Sequence, residues 1–319
     1  MRATGMFEAV DLHVGGAPVR LVQSGYPELG GGALETRAAR AAATLDGHRR
    51  RLLQEPWGAT GLEAAVITAP VRAGADAGLL FLSQDGYPER SGRTALAAAT
   101  WLWRAGRAGA ARAAAGAAGT VVLDTPAGLV AVAIEDAGAD AAPLARLASP
   151  PAVEALWHDA ADARVVRVGG ASIVVAFARE GAAGVDSAAL ASAAARLDGL
   201  RSSLGSVSPG PVQEWLLAAP PAGGGAWAVV AYDGQGRLLR APTFEGLAAL
   251  ALHLAAEGWA APDGAFAVHG LADVPVTVRL KGGSGETGLG TTLEARAYVT
   301  ALRRFLPDPD DEVAPFLVP

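Results

Sequence analysis

The amino-acid sequence predicts an α/β protein built from two similar lobes. Short segments that alternate apolar and polar residues are followed by longer Ala-rich segments with the three- and four-residue spacing of helices. A length of 319 residues and a hydrophobic content of 51% allow two compact lobes or one large domain. Two junctions between a strand-like and a helical segment also share one spacing, because Gly106 follows Ser91 by fifteen residues and Gly258 follows Thr243 by fifteen.

The first part of the chain begins with a predicted β-hairpin. The segment Phe7–Val14 alternates apolar and polar residues, and the strand pattern resumes at Val19–Val22 after two glycines and a proline. The same periodicities then predict a helix over 35–53, strands over 62–69 and 77–83, and a helix over 94–104 that Gly106 ends.

The second part repeats this order of elements. The patterns predict strands over 120–123, 129–134, 165–168 and 172–178, a helix over 187–197, a strand over 226–232, a turn over 233–236 and a returning strand over 237–239. Thr243 then precedes an Ala- and Leu-rich helix that ends near Gly258. A duplicated fold explains the matched junctions, although Ala-rich helices with a hydroxyl N-cap and a glycine at the C-terminal end are also common.

Composition and charge exclude several classes of function. The net charge of −6 provides no general attraction to nucleic acid or to an anionic membrane. The absence of cysteine excludes disulfides, thiolate metal sites and a thiol nucleophile. The five histidines show no metal-ligand spacing, so we expect no metal.

The sequence also carries an expectation about location. The first residues contain no apolar run long enough for a signal peptide, and the Ala-rich stretches are interrupted before a membrane span could form. We therefore expect a cytoplasmic protein with no membrane partner.

The two matched junctions suggest a chemistry. A helix N-terminus presents unpaired N–H groups and the positive end of the helix dipole, so it favours anions. Two such ends facing one another could hold a carboxylate while a side chain on each side approaches the same carbon. This is the geometry of an epimerase, in which one group removes a proton and another supplies a proton to the opposite face.

The junction sequences resemble a known family. Residues 86–97 read Gly-Tyr-Pro-Glu-Arg-Ser-Gly-Arg-Thr-Ala-Leu-Ala and are similar to the first active-site segment of the proline racemase family, where Met-Cys-Gly-His-Gly-Thr-Ile follows a Gly-Tyr pair. Residues 240–246, Arg-Ala-Pro-Thr-Phe-Glu-Gly, resemble the second segment, Asp-Arg-Ser-Pro-Cys-Gly-Thr-Gly-Thr. Further matches in the family's order lie at 11–16, 46–49, 55–58, 169–170, 296–299 and 308–311.

This resemblance implies a two-lobed α/β fold like that of diaminopimelate epimerase, with pseudo-twofold-related lobes and the active-site cleft between them. It places the first lobe at 1–122 plus 275–319 and the second at 123–274. It also implies a homodimer that acts without a cofactor or metal on a small imino acid or related carboxylate. Members of the family racemise proline, epimerise 4-hydroxyproline or dehydrate trans-3-hydroxyproline.

The first junction departs from the family at its catalytic position. Ser91 stands where the family carries its first cysteine, and an alcohol needs an adjacent base because, unlike a thiol, it does not ionise near neutral pH. Gly92, Arg93 and Thr94 are the predicted substrate-binding residues. Arg93 stays protonated, so it could clamp a carboxylate but not act as a base. The alternative interpretation of Ser91 is a simple helix N-cap.

The second junction departs further. Thr243 replaces the second cysteine, as is typical of the family's dehydratases, and Phe244 with Glu245 replace the Gly-Thr pair whose backbone would receive the substrate carboxylate. Glu245 is a candidate base, or else a favourable acid in the first turn of a helix. Gly246 completes the predicted binding segment. His13, in the opening strand, is either a substrate-binding or a structural histidine.

Two functional hypotheses follow. The first is an enzyme on proline- or hydroxyproline-type imino acids, either dehydratase-like or a divergent epimerase, with Ser91 and Thr243 facing each other. The second is a catalytically inactive paralogue that binds a small carboxylate. The matched spacing favours the enzyme, whereas the loss of both thiols favours the inactive form.

Overall fold

A computed structural model gives the fold of the protein. It describes residues 6–108, 118–138, 141–148, 152–158, 162–178, 187–204, 211–221, 225–261, 263–281, 290–306, 308 and 310–317. Its contacts divide the chain into two compact units, Met1–Leu147 with Arg296–Pro319, and Ala148–Ala295. The two points at which the chain passes between units therefore lie later than the residues at which the sequence placed them.

The first unit is a sheet with three helices. Its strands are β1 (Phe7–Val14), β2 (Ala17–Ser24), β3 (Glu63–Thr68), β4 (Ala77–Leu82), β5 (Ala118–Thr125), β6 (Gly128–Glu135) and β7 (Leu144–Ala148). Its helices are α1 (Leu34–Thr44), α2 (Asp46–Leu53) and α3 (Gly92–Arg104). The single helix expected over 35–53 is thus two helices, because Leu45 leaves the helical conformation between them.

The second unit contains the remaining elements of the described chain. Its strands are β8 (Ala152–His158), β9 (Ala163–Val168), β10 (Ala171–Phe177), β11 (Val212–Ala219), β12 (Trp227–Asp233), β13 (Leu238–Leu239), β14 (Ala265–His269) and β15 (Val276–Lys281). Its helices are α4 (Ser187–Leu204) and α5 (Phe244–Ala256). The long strand β16 (Gly290–Phe305) begins in the second unit and ends in the first, because the boundary between the units lies after Ala295.

The strand pairings show that the two units share one topology. In the first unit the order β16-β1-β2-β3-β4-β5-β6-β7 is antiparallel throughout except for the parallel pairs β2·β3 and β4·β5. In the second unit the order β8-β9-β10-β11-β12-β14-β15-β16 has its parallel pairs at the same places, β10·β11 and β12·β14. The predicted α/β class and the duplicated fold are confirmed.

Helices α3 and α5 occupy the same place in this topology, as the crossover between the second pair of parallel strands. Both are buried along most of their length, with Leu96 and Leu250 fully inaccessible. Small alanines favour the helix and let its backbone approach the sheet closely. Each helix ends at the predicted glycine, since Gly106 and Gly258 adopt φ of 68° and 73°, a conformation that glycine accepts without strain.

Each unit has its own hydrophobic core. In the first unit, one cluster of buried residues includes Phe7, Leu52, Leu53 and Leu80, each of which is at most 2% exposed. In the second, strands β9 to β12 pack against α4 through a cluster that includes Leu200. No helix within the described residues is long and apolar enough to cross a membrane.

Candidate functional site

The first junction forms where β4 leads into α3. Ser91 is the N-cap of α3: its backbone is extended, and its Oγ accepts a hydrogen bond from the N–H of Thr94 at 3.2 Å. A serine at this position satisfies one of the four N–H groups that a helix leaves unpaired at its start. The N-cap interpretation of Ser91 is therefore correct as local structure, and it leaves the hydroxyl proton free to be donated elsewhere.

The Ser91 hydroxyl donates this proton to a carboxylate that is not among the residues predicted from the sequence. Glu63, the first residue of β3, places Oε2 at 2.5 Å from Ser91 Oγ and at 3.0 Å from Thr94 Oγ1, and the two hydroxyl oxygens are 2.8 Å apart. The carboxylate thus lies at the positive end of α3, where the helix dipole and the hydroxyl donors favour a negative charge.

Arg93 completes this group. Its Nη1 donates to Glu63 Oε1 at 2.7 Å, and its side chain is only 5% exposed, against 22% for that of Glu63. A charge-assisted hydrogen bond from a buried guanidinium fixes the orientation of the carboxylate. Of the four residues predicted here, Ser91, Arg93 and Thr94 converge on Glu63, and Gly92 is the first residue of α3.

The second junction has the same construction at the start of α5. Thr243 is the N-cap, and its Oγ1 accepts from the N–H of Gly246 at 3.0 Å. The N–H of Thr243 donates to Glu214 Oε1 at 2.8 Å, and its hydroxyl donates to Glu214 Oε2. Glu214 lies on β11, the strand equivalent to β3 in the shared topology. A strand glutamate therefore meets a hydroxyl N-cap in both units.

The two carboxylates differ in their access to solvent. Glu214 is 1% exposed and packs against the first turn of α5. A Cβ atom added to Gly246 would lie 2.4 Å from Glu214 Oε2, so only a glycine leaves room for the carboxylate. Glu214 thus fills the anion-favouring end of α5 with an internal charge, whereas Glu63 remains partly open.

The remaining predicted residues lie as follows. Phe244 is buried at 3% exposure, and Glu245, in the first turn of α5, is half-buried. His13 stacks on Tyr298 of β16 with the ring centroids 5.1 Å apart, and burial lowers the pKa of its imidazole. The contribution of these three side chains to a binding site, like the facing arrangement of Ser91 and Thr243, stays a prediction.

A signal for the two glutamates exists in the sequence. Glu63 precedes Ser91 by 28 residues and Glu214 precedes Thr243 by 29, so a glutamate lies at nearly the same distance before each junction. The sequence predicted a strand at the first of these glutamates but not at the second. Within the described part of the chain, no group of three or more His, Asp and Glu side chains could hold a metal ion.

The family model described as Proline racemase matches residues 9–182, more than half of the chain. The chain belongs to the proline racemase family. This confirms the resemblance drawn from the junction segments, and the matched region includes Ser91 and Glu63 but ends before Thr243 and Glu214.

Curated relatives within this family match over shorter segments. A 4-hydroxyproline epimerase from Burkholderia pseudomallei is 35% identical over 127 residues, which cover 40% of this chain and 38% of the relative. A trans-3-hydroxy-L-proline dehydratase from Bacillus thuringiensis is 31% identical over 130 residues, 41% of this chain and 38% of the relative. The matches thus span well under half the length of these proline racemase relatives.

A solved structure extends the likeness over the whole chain. A hydroxyproline epimerase from Agrobacterium vitis, with bound trans-4-hydroxy-L-proline, superposes with a TM-score of 0.76 at 20% identity and covers 100% of this chain and 96% of that one. The protein therefore has the fold of the proline racemase family along its full length.

Proposed function

We propose that the protein catalyses cofactor-independent proton transfer at the α-carbon of a proline- or hydroxyproline-type imino acid, as a dehydratase-like enzyme or a divergent epimerase. Family membership and the names of its relatives, which include a 4-hydroxyproline epimerase and a trans-3-hydroxy-L-proline dehydratase, support this class of substrate. Ser91 and Thr243 take the two positions of the family's cysteines.

The contact between Ser91 and Glu63 is the observation on which the proposal mainly rests. An isolated alcohol is too weak an acid and too weak a base for this chemistry, so a hydroxyl in place of a thiol needs an ionised partner. Glu63 Oε2 lies 2.5 Å from Ser91 Oγ and is partly exposed. The first junction therefore retains a group able to exchange protons with a substrate.

The start of α3, where Gly92, Arg93 and Thr94 lie, also supports recognition of a carboxylated substrate, because backbone N–H groups at a helix N-terminus favour anions. We include Phe244, Glu245 and Gly246, at the start of α5, as the second binding segment, although Glu214 occupies the anion-favouring end of that helix. We include His13 as a further substrate contact, Glu245 as an additional candidate for proton transfer, and a cytoplasmic homodimer as the working form of the enzyme.

Exchange of the substrate α-proton with deuterated water tests the proposal. Purified protein is incubated with L-proline, trans-4-hydroxy-L-proline or trans-3-hydroxy-L-proline, and ¹H NMR follows loss of the α-proton signal, inversion of configuration and loss of water. We expect turnover with at least one substrate, and a drop of about tenfold or more in Ser91→Ala, because this substitution removes the hydroxyl that contacts Glu63 Oε2.

Ser202→Ala is the matched control, because Ser202 is an exposed serine of α4 whose hydroxyl donates to the carbonyl oxygen of Asp198 at 2.8 Å. Its rate should equal that of the wild type. A folded wild-type protein that exchanges no α-proton with any of the three imino acids contradicts the proposal.

A further inference from the structure

We infer that Glu63 is the group that removes the substrate proton at the first junction and returns it, and that Ser91, Thr94 and Arg93 hold its carboxylate in place. The inference rests on the proposed function and deepens it by naming the base. It assigns the proton-transfer role to a residue of β3 rather than to the hydroxyl that replaces the family's cysteine.

The chemistry of the side chains separates Glu63 from Ser91. A carboxyl group is ordinarily ionised at neutral pH, whereas a serine hydroxyl is not. The Ser91 hydroxyl lies 2.5 Å from Glu63 Oε2, the distance of a strong hydrogen bond to an anion. Ser91 thus donates its proton towards Glu63, and its role is to position the carboxylate.

The coordination of the carboxylate leaves room for a substrate. An ionised carboxylate offers about four acceptor positions on its two oxygens. Ser91 and Thr94 use Oε2, and Arg93 uses Oε1, so three of these positions are taken. Among the described residues no further side chain takes the fourth position, which is open to a proton from a ligand, and the Glu63 side chain is 22% exposed, so a ligand can reach it.

The equivalent residue of the second unit shows what a purely structural glutamate looks like. Glu214 makes the same contact with an N-cap hydroxyl and in addition accepts the backbone N–H of Thr243. It is 1% exposed and faces Gly246 without space for a further atom. Because its access is closed, Glu214 anchors α5, and the open glutamate of the pair is Glu63.

The proposed step balances without a further reactant. Glu63 takes the α-proton as the Cα–H bond breaks and a carboxyl O–H bond forms, and the electron pair is delocalised into the substrate carboxylate. The carboxyl proton of Glu63, which solvent can reach, exchanges with water, and return of a solvent-derived proton from Glu63 re-forms the Cα–H bond, so that the substrate gains a solvent proton at Cα. With a 3-hydroxy substrate the electron pair instead forms a Cα–Cβ double bond, the Cβ–O bond breaks, and the leaving hydroxide takes the proton from Glu63 as water.

Substitution of Glu63 tests the inference with the same three imino acids. Glu63→Gln keeps the shape of the side chain but removes the charge, so we expect α-proton exchange or water loss to fall at least about 100-fold. Binding of the substrate, measured by isothermal titration calorimetry, should stay close to wild type. The thermal midpoint should fall, because buried Arg93 loses an ionised partner, but the protein should remain folded at the assay temperature. Glu63→Asp moves the carboxylate back by one methylene and should retain an intermediate rate.

Glu35→Gln is the matched control. Glu35 is an exposed glutamate of the same unit that also pairs with an arginine, Arg72, at 2.5 Å, and its substitution should leave the rate unchanged. If wild-type protein turns over an imino acid and Glu63→Gln retains more than a third of that rate, the inference fails while the proposed function stands. If Glu63→Gln loses binding and folding together with turnover, Glu63 is structural and the inference is also wrong. If folded wild-type protein turns over none of the three imino acids, both the proposed function and the inference are wrong.

Discussion

Gly246 is the third residue of α5, and its Cα lies against the carboxylate of Glu214. Its backbone is helical, so glycine is not needed for conformation at this position. In a helix interior, alanine is ordinarily more favourable than glycine by about 1 kcal/mol. Here the added Cβ would approach Glu214 Oε2 to 2.4 Å, which forces the buried carboxylate or the helix to move.

We therefore expect Gly246→Ala to destabilise the protein by about 1 to 3 kcal/mol, measured as the free energy of unfolding in urea. Gly199→Ala, at an open position of α4 with no atom near the added methyl group, is the matched control and should be neutral or stabilising. In the Glu214→Ala background the penalty of Gly246→Ala should shrink, because the clashing oxygen is gone. Additive effects of the two changes would show that the close contact does not exist.

At the scale of an element, α5 makes two kinds of contact. Thr243, its N-cap, donates hydrogen bonds to the carboxylate of Glu214, and the helix packs on β9 and β10. His253 faces that sheet fully buried, 4.6 Å from the ring of Phe177, and its Nδ1 accepts from Arg164 Nε at 3.3 Å. Burial, reinforced by the charge of Arg164, lowers the pKa of His253 to about 4.

This pKa makes the attachment of α5 sensitive to acid. In the unfolded chain His253 takes up a proton near its ordinary pKa of 6.5, whereas in the folded protein it stays neutral until about pH 4. The unfolded state therefore binds more protons between these values, and stability falls as the pH drops from 7 towards 4.

We expect wild-type protein to lose about 2 kcal/mol more stability between pH 7 and pH 5 than His253→Gln, which keeps an acceptor for Arg164 but does not titrate. Thermal or urea unfolding at the two pH values measures the difference. An equal loss in both proteins would show that His253 is not responsible for it.

At the scale of the whole molecule, the second unit is a continuous segment of the chain. The segment Ala148–Ala295 contains hydrogen-bonded strands of its own and a hydrophobic core cluster that includes Leu197 and Leu217. A unit with its own hydrophobic core and hydrogen-bonded sheet should fold by itself. The first unit needs two segments, Met1–Leu147 and Arg296–Pro319, so it is not available as one fragment.

We expect a fragment of residues 148–295 to unfold cooperatively, as measured by circular dichroism during a urea titration. The same fragment with Leu197→Asp, which places a charge in the cluster, should show no cooperative transition. A fragment that is unfolded in buffer would mean that the second unit depends on residues outside it.

Much of this architecture follows from local patterns. The hairpin of β1 and β2, the strands β3, β4 and β12, and the starts of α3 and α5 were expected from periodicity and from the N-cap hydroxyls, because such signals depend on neighbours within a few residues. The strand β11 was not expected, since its run Trp-Leu-Leu-Ala-Ala is continuously apolar and does not alternate.

The sequence by itself determined the α/β class, the two strand-to-helix junctions, the family, and the places of Ser91 and Thr243 at the starts of α3 and α5. Only the tertiary structure decided which side chains meet them, because Glu63 and Glu214 are 28 and 29 residues away along the chain and arrive on other strands. It also decided the difference between the glutamates, since Glu63 is partly exposed whereas Glu214 is buried. Exposure depends on how segments distant in sequence pack over a side chain, and no local pattern contains that information.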